Sequence, residues 1–119
     1  MDEETFKQRT KKFALDIIHL VESLPKTKTA DVIGKQILRS ATSIWANYRA
    51  ACRAKSTVDM INKLKIVEEE ADETLYWLEL LGGARIASTQ GLDPLCKETG
   101  ELLAMTVASL KTLRSRTTT

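Results

Sequence analysis

Residues 31–53 read DVIGKQILRSATSIWANYRAACR, and this stretch divides into three faces when it is wound as a helix at 100° per residue. The apolar face comprises Ile33, Ile37, Ala41, Ile44, Trp45, Tyr48, Ala51 and Cys52. The basic face carries Lys35, Arg39, Arg49 and Arg53. The small-residue face carries Gln36, Ser40, Ser43, Asn47, Ala50 and Ala54. A helix that packs on one side only is polar over the rest of its surface, so three distinct faces predict a core contact and a partner.

Composition indicates a single folded domain over residues 1–119. Hydrophobic residues make up 43% and charged residues 29% of the chain, a balance typical of globular proteins. No apolar run approaches the roughly 20 residues of a membrane span, and the acidic start lacks the apolar segment of a secretory signal. We therefore expect a cytoplasmic protein without membrane contact. A disulfide between Cys52 and Cys96 stays open at this point, although lone buried thiols fit a cytosolic protein better.

Charge is distributed unevenly along the chain. Residues 1–67 hold 13 Lys and Arg against 7 Asp and Glu, whereas residues 68–119 hold 5 against 9. This asymmetry predicts one basic pole and one acidic pole. Such a dipole favours either a polyanionic partner or head-to-tail self-association.

The apolar spacing predicts four helices, over about 3–24, 28–54, 57–82 and 93–114. Short connections force neighbouring helices to run antiparallel. The expected fold is therefore all-α, an antiparallel up-down-up-down four-helix bundle.

Local signals mark the first two breaks between the helices. Pro25 ends the first helix because the residue before a proline is pushed out of the helical region. Thr27 or Thr29 caps the second helix. Ser56 and Asp59 have the spacing of a capping box at the start of the third helix.

Glycine and proline mark the third break. Gly82-Gly83 is expected to end the third helix, since glycine accepts the left-handed conformation found at helix ends. A loop follows to about residue 92, and Asp93-Pro94 then begins the fourth helix as an N-cap followed by proline.

The third predicted helix carries a second row of residues roughly opposite its core stripe. This row comprises Ile66, Tyr76, Trp77 and Leu80, flanked by Glu69 and Glu73. A monomer would expose much of it, so we predict a subunit interface in which the acidic residues meet basic residues of a neighbour. In the alternative interpretation Tyr76 and Trp77 are boundary residues with half-covered rings.

Two long segments carry a family resemblance. Residues 39–56 read RSATSIWANYRAACRAKS and residues 59–81 read DMINKLKIVEEEADETLYWLELL. Together with residues 24–26 (LPK) and 33–37 (IGKQI), they resemble the four-helix-bundle proteins encoded in intervening sequences of bacterial 23S rRNA genes. The accessory variability determinant of diversity-generating retroelements is similar to that family and shares the bundle.

The resemblance implies a bundle without enzymatic activity that often assembles as a ring-like homopentamer. For the retroelement protein it implies a basic surface that binds nucleic acid and a reverse transcriptase partner, and for the intervening-sequence proteins a link to RNA or the ribosome. The sequence departs from the family pattern twice. Trp45 stands where glycine is common, which affects packing or subunit contacts, and Arg49-Ala50-Ala51 replaces a frequent acidic residue, which makes this version more basic.

The basic residues of the second and third predicted helices form the candidate nucleic-acid site. They are Lys35, Arg39, Arg49, Arg53, Lys55, Lys63 and Lys65. The planar guanidinium group of arginine suits phosphate, and such contacts hold RNA or DNA without reading its sequence. The alternative is a pure protein-interaction scaffold, whose basic residues pair with Glu69, Glu70 and Glu73 of neighbouring subunits. No aromatic stacking platform is expected, because the aromatic residues lie on apolar stripes.

The remaining polar residues argue against catalysis. Asn47 is expected to make a buried hydrogen bond between two helices, with a ligand contact as the alternative. His19, the only histidine, lies opposite the core stripe and is expected to face solvent. A single histidine supplies neither the paired Glu-x-x-His ligands of a di-iron bundle nor a base for Cys52. We therefore expect no catalytic residues, no metal ligands and no cofactor.

Overall fold

The computed structural model describes residues 2–117, which form four helices joined by three short loops. The helices are α1 Glu3–Ser23, α2 Lys28–Cys52, α3 Thr57–Gly83 and α4 Thr89–Thr117. Each helix packs against the next one along the chain, and α4 returns beside α1 to close a rod with extents of 52 × 21 × 20 Å. The predicted all-α up-down-up-down bundle is confirmed over the described residues.

The first break follows from proline and threonine chemistry. Leu24 is extended, with φ −68° and ψ 150°, because the ring of Pro25 excludes a helical residue before it. Of the two candidate caps for α2, Thr27 is the one used. Its hydroxyl accepts the Ala30 N–H at 3.2 Å, which satisfies one of the free amides at the helix start.

The second break uses the predicted serine cap. The Ser56 hydroxyl accepts the Asp59 N–H at 3.0 Å at the start of α3. The Asp59 carboxylate reaches back to the Lys55 N–H at 3.3 Å, one residue before the amide that a capping box predicts.

The third break differs from the prediction because α4 begins earlier than expected, where Leu92 packs against another helix. α4 begins at Thr89, four residues before Asp93, and the Ser88 hydroxyl accepts the Gly91 N–H at 3.3 Å. The early start buries Leu92, which is 3% exposed and packs in the main core. Gly82 permits this approach, because a Cβ there would lie 3.2 Å from the Leu92 Cδ1 atom.

Two further details of this break also depart from expectation. Pro94 lies inside the second turn of α4 rather than at its first position. It is exposed, so the carbonyl group that its missing N–H would have engaged can face water. The left-handed residue after α3 is Arg85, with φ 59°, and neither Gly82 nor Gly83 has a positive φ.

The core is built from the predicted apolar stripes of all four helices. Its largest fully buried apolar side chains are Phe13, Ile17, Ile37, Ile44, Leu64, Val67, Leu78, Leu81, Leu102 and Leu110. Burying each such side chain is worth about 1.5–3 kcal/mol relative to leaving it in water, so this set dominates the stability of the bundle.

The small-residue face of α2 packs against α3 through a pair of hydroxyl groups. Ser40 and Thr74 are both 0% exposed, and their oxygen atoms lie 2.8 Å apart. The Ser40 hydroxyl also lies 3.2 Å from the Ile37 carbonyl, and the Thr74 hydroxyl lies 2.7 Å from the Glu70 carbonyl. Each helix thus supplies one acceptor at the end of this chain, which satisfies both buried hydroxyl groups.

Asn47 does not make the hydrogen bond between helices that we expected of it. Its side-chain amide donates within α2, to the carbonyl and the hydroxyl oxygen of Ser43, both at 2.9 Å. Asn47 is half-buried, and Ser43, one turn earlier in the same helix, is close enough to accept both hydrogen bonds of its amide. The hydrogen bond that joins the two helices belongs to Ser40 and Thr74 instead.

The charge asymmetry of the chain persists in the folded rod. With each helix divided at its midpoint, residues 2–13, 40–70 and 103–117 lie at one end and hold 12 Lys and Arg against 7 Asp and Glu. The other end, residues 14–39 and 71–102, holds 6 against 9. One end of the rod therefore carries the basic excess and the other end the acidic excess.

We predict that the α2–α3 contact tolerates no larger side chain at Ser40. Ser40→Leu should lower the free energy of unfolding by about 1–3 kcal/mol more than Ser40→Ala does, because extra carbon atoms must push the helices apart. Ser40→Ala should cost about 1 kcal/mol, since the Thr74 hydroxyl keeps the Glu70 carbonyl as acceptor. Urea unfolding at one fixed protein concentration measures both variants.

Thr42→Val is the control, because the Thr42 hydroxyl bonds only to carbonyl groups of its own helix. It should change the free energy of unfolding by less than about 0.5 kcal/mol. Equal stability of the Ser40→Leu and Ser40→Ala variants would contradict a tight contact at this point.

Candidate nucleic-acid interface

The seven basic residues predicted to bind nucleic acid do not form one patch. Arg39 extends from α2 toward α3, where its guanidinium pairs with Glu70 at 2.9 Å and with Glu73. Partial desolvation alone would lower the pKa of Arg39, but the charges and hydrogen bonds of the two carboxylates outweigh it and raise the pKa. Arg39 is therefore neutralised within its own chain.

The other lysines of the predicted set are also dispersed. Lys35 is exposed and pairs at 3.1 Å with Asp31, one turn earlier on α2. Lys55 lies in the loop before α3. Lys63 and Lys65 point about 160° apart on α3, since each residue advances by 100°, so they cannot serve the same surface.

Arg49 is exposed in the last turn of α2 and Arg53 is exposed at its C-cap, and α1 brings Lys7 and Lys11 beside them. Two ring contacts fix this alignment: the Phe6 and Tyr48 rings lie 4.4 Å apart, and Lys11 lies over the Trp45 ring. We call Lys7, Lys11, Arg49 and Arg53 the α1–α2 basic surface. Among residues 2–117, none of these four cations has a carboxylate oxygen within 4 Å.

Sequence reasoning missed the two lysines that α1 contributes. Lys7 and Lys11 are spaced as neighbours on one helix face, which is the signal that was available. Whether they lie beside Arg49 depends on the offset of α1 relative to α2 along the bundle axis. The spacing of residues within either helix does not determine that offset.

Trp45 lies at the edge of the α1–α2 basic surface. We placed it on the apolar face of α2, but it is half-buried at the margin of that face. The Lys11 Nζ atom is 5.8 Å and the Arg49 Cζ atom is 5.3 Å from the centroid of its ring, both within cation–π range. The structure thus places one aromatic ring beside two of the basic residues, a contact that the position of Trp45 on an apolar stripe did not indicate.

The predicted subunit interface on α3 is divided between exposed and engaged side chains. Tyr76 is 55% exposed and Leu80 is 38% exposed, and the exposed Val32 of α2 is a further large apolar side chain in solvent. Glu69 is exposed and Ile66 is half-buried.

Trp77 and Glu73 have partners inside the chain. The Trp77 ring packs against the main core, and its indole N–H donates to the Glu73 carboxylate at 3.2 Å. Glu73 also pairs with Arg39, so its carboxylate contacts α2 of the same chain rather than a neighbouring subunit. Tyr76 and Leu80 are thus the members of the predicted row with the most apolar surface in solvent.

The cysteines and the histidine do not assemble a reactive site. Cys52 and Cys96 are free thiols, and burial raises the pKa of each. A raised pKa keeps a thiol protonated and unreactive near neutral pH. His19 faces solvent as expected.

Between residues 2 and 117, no group of three or more His, Cys, Asp or Glu side chains is arranged to hold a metal ion. Over the same span, no helix combines the length and the low polarity that crossing a bilayer requires.

Comparisons with known proteins agree with the architecture. A crystal structure of a protein with unknown function from the S23 ribosomal protein family of Bacteroides thetaiotaomicron VPI-5482 is 37% identical, with a TM-score of 0.87. The similarity covers 93% of this chain and 99% of that one. No curated protein matches the chain. The family model described as 23S rRNA-intervening sequence protein matches residues 3–108, and the chain therefore belongs to that family.

Proposed function

We propose that this protein is a non-enzymatic homo-oligomer of the cytoplasm that binds RNA or DNA through its α1–α2 basic surface. The observation that carries the proposal is the grouping of cations from two helices around Trp45. α1 and α2 bring Lys7, Lys11, Arg49 and Arg53 to one surface, and none of the four has a carboxylate oxygen within 4 Å among residues 2–117.

An anionic partner relieves a cost that the free protein carries. Lys7 and Lys11 are neighbours on α1, where like charges at this spacing destabilise a helix by about 0.2–0.5 kcal/mol per pair. Arg49 lies in the last turn of α2 and Arg53 caps its end, so these two cations also repel each other. A phosphate backbone would turn both repulsive pairs into attractive contacts, and such contacts need no particular base sequence.

The chemistry of the remaining residues supports a binding role rather than catalysis. The raised thiol pKa of Cys52 is opposite to what a nucleophile needs, and the single histidine is exposed. Binding of phosphate groups by lysine and arginine requires neither a nucleophile nor a metal ion.

The oligomer is the second part of the proposal. Tyr76 and Leu80 lie on α3, which packs on the far side of α2 from α1, so a subunit contact there leaves the α1–α2 basic surface open. Five copies in a ring is the assembly that the resemblance implies. The resemblance to the retroelement accessory protein adds a reverse transcriptase as an expected partner of the same basic surface.

We predict that charge reversal on α2 abolishes binding of nucleic acid. Arg49→Glu with Arg53→Glu should weaken the binding of a labelled oligonucleotide by at least about tenfold, measured by fluorescence anisotropy at low salt. For the unmodified protein, log K should fall linearly with log salt, with a slope near −0.7 per phosphate contact on a single strand.

Lys97→Glu with Lys111→Glu is the matched control, since it changes the net charge equally on exposed positions of α4. It should leave most of the affinity intact. Arg49→Gln with Arg53→Gln serves as a milder second pair if the reversed variant unfolds. If the unmodified protein binds neither RNA nor DNA at low salt, the proposal is wrong and the pure scaffold explains the fold better.

We predict that the oligomer depends on the exposed apolar residues of α3. Tyr76→Ala with Leu80→Ala should lower the particle mass in light scattering toward the 13.3 kDa of one chain, with unchanged helicity in circular dichroism. Leu15→Ala with Val107→Ala removes equally exposed apolar groups from α1 and α4 and should leave the mass unchanged. A 13.3 kDa particle for the unmodified protein at high concentration would contradict self-association.

A further inference from the structure

Trp45 is poorly explained by the packing of the bundle. It is the larger of the two aromatic residues on α2, yet it is only half-buried, at the seam where α1 meets α2. Its neighbour Tyr48 is also half-buried, but it packs on the core, and its ring contacts that of Phe6 with a 42° tilt at 4.4 Å. The part of the indole that stays in contact with water is therefore a cost to the free protein.

Two cations of the α1–α2 basic surface lie over this ring. Lys11 reaches it from α1 and Arg49 from the next turn of α2, at 5.8 Å and 5.3 Å from the ring centroid. Both side chains are exposed and have long flexible stems, so they can leave the ring without disturbing the helices. A cation–π contact in water is among the weaker interactions of an aromatic ring, and a stacked nucleobase is a stronger one.

We propose that Trp45 is a stacking platform for an unpaired nucleobase, with Lys11 and Arg49 engaging the phosphates on either side of that nucleotide. The ligand class is single-stranded RNA or DNA. A base in a duplex has both of its faces covered by its neighbours in the stack, so a duplex offers phosphates but no free base face. This inference rests on the proposed function and specifies which kind of nucleic acid the basic surface takes.

The arrangement differs from a purely electrostatic patch in what it recognises. Phosphate contacts alone bind any polyanion of sufficient charge density. An aromatic platform adds affinity only where a base is available to stack, and it does so for every base because each has a π-face. The expected preference is therefore for single strands over duplexes, with little dependence on sequence.

The chain provides its own reporter for this proposal. It contains two tryptophans, and Trp77→Phe leaves Trp45 as the sole one while keeping an aromatic ring at the core position. In this background we expect oligo(U) and oligo(dT) to quench the Trp45 fluorescence strongly. A blunt duplex of equal phosphate number and inorganic polyphosphate should bind with markedly less quenching, since neither places a base on the ring.

Trp45→Ala, in the otherwise unmodified full chain, tests the energetic share of the ring. It should weaken binding of oligo(U) and oligo(dT) by about tenfold to a hundredfold, the range that one base–aromatic stack supplies. Affinity for inorganic polyphosphate should stay within about twofold. Trp45→Phe, which keeps a smaller ring, should recover part of the lost affinity, and thermal melting followed by circular dichroism checks that each variant folds.

The possible outcomes separate this inference from the function on which it rests. If Trp45→Ala weakens single strands and polyphosphate equally or not at all, the stacking platform is wrong and phosphate binding by the basic surface stands. If single strands bind the unmodified protein no better than the duplex does, the platform is likewise wrong. If neither oligonucleotides nor polyphosphate bind the unmodified protein, the proposed function fails and the inference fails with it.

Discussion

The contact between α2 and α3 at Ser40 and Thr74 sets the position of the polar surface of this bundle. Two small hydroxyl side chains, both fully buried, share a hydrogen bond there, and this bond requires the same rotation of α2 against α3 that turns the apolar stripes of both helices into the core. Once that rotation is fixed, the apolar face of α2 points into the core and its outer face is divided between the flank toward α3 and the flank toward α1.

The two flanks of α2 consequently differ in charge. On the α3 flank, Arg39 lies one residue before Ser40 and is carried to Glu70 and Glu73, so the basic group is neutralised inside the chain. On the α1 flank, Arg49 meets the lysines of α1 and no carboxylate lies within 4 Å among residues 2–117. A basic helix face that looks uniform in the sequence therefore becomes one compensated and one uncompensated surface.

What the sequence predicts correctly is what neighbouring residues decide. The stripes through Ile37 and Leu78, the proline break and a threonine cap at one of its two candidate positions depend on spacing or on atoms within four residues, and all are found in the structure. The start of α4 is not predicted correctly, because Leu92 is buried in the core against Gly82 of α3, a residue on another helix. The pattern around Asp93 contains no trace of that contact.

The candidate site shows the same division between local and distant information. The type and the helical phase of Arg49 and Arg53 can be taken from the sequence, and the structure places both in solvent as expected. The partners of Arg39 and the contribution of α1 depend on the relative heights of helices, which vary continuously while the apolar pattern stays the same. Pattern analysis therefore predicts which residues are basic and outward, and only the packed bundle decides which of them remain uncompensated.

Trp45 depends both on its local position in α2 and on contacts with another helix. The resemblance leads us to expect glycine at this position, and glycine costs a helix about 1 kcal/mol relative to alanine, so any larger residue would restore helix propensity. Tryptophan adds apolar surface that the bundle covers only in part, and it does so beside cations that have no carboxylate within 4 Å among residues 2–117. Neither helix propensity nor core packing accounts for an indole there, so the proposed stacking of a nucleobase gives this ring a role that the bundle alone does not.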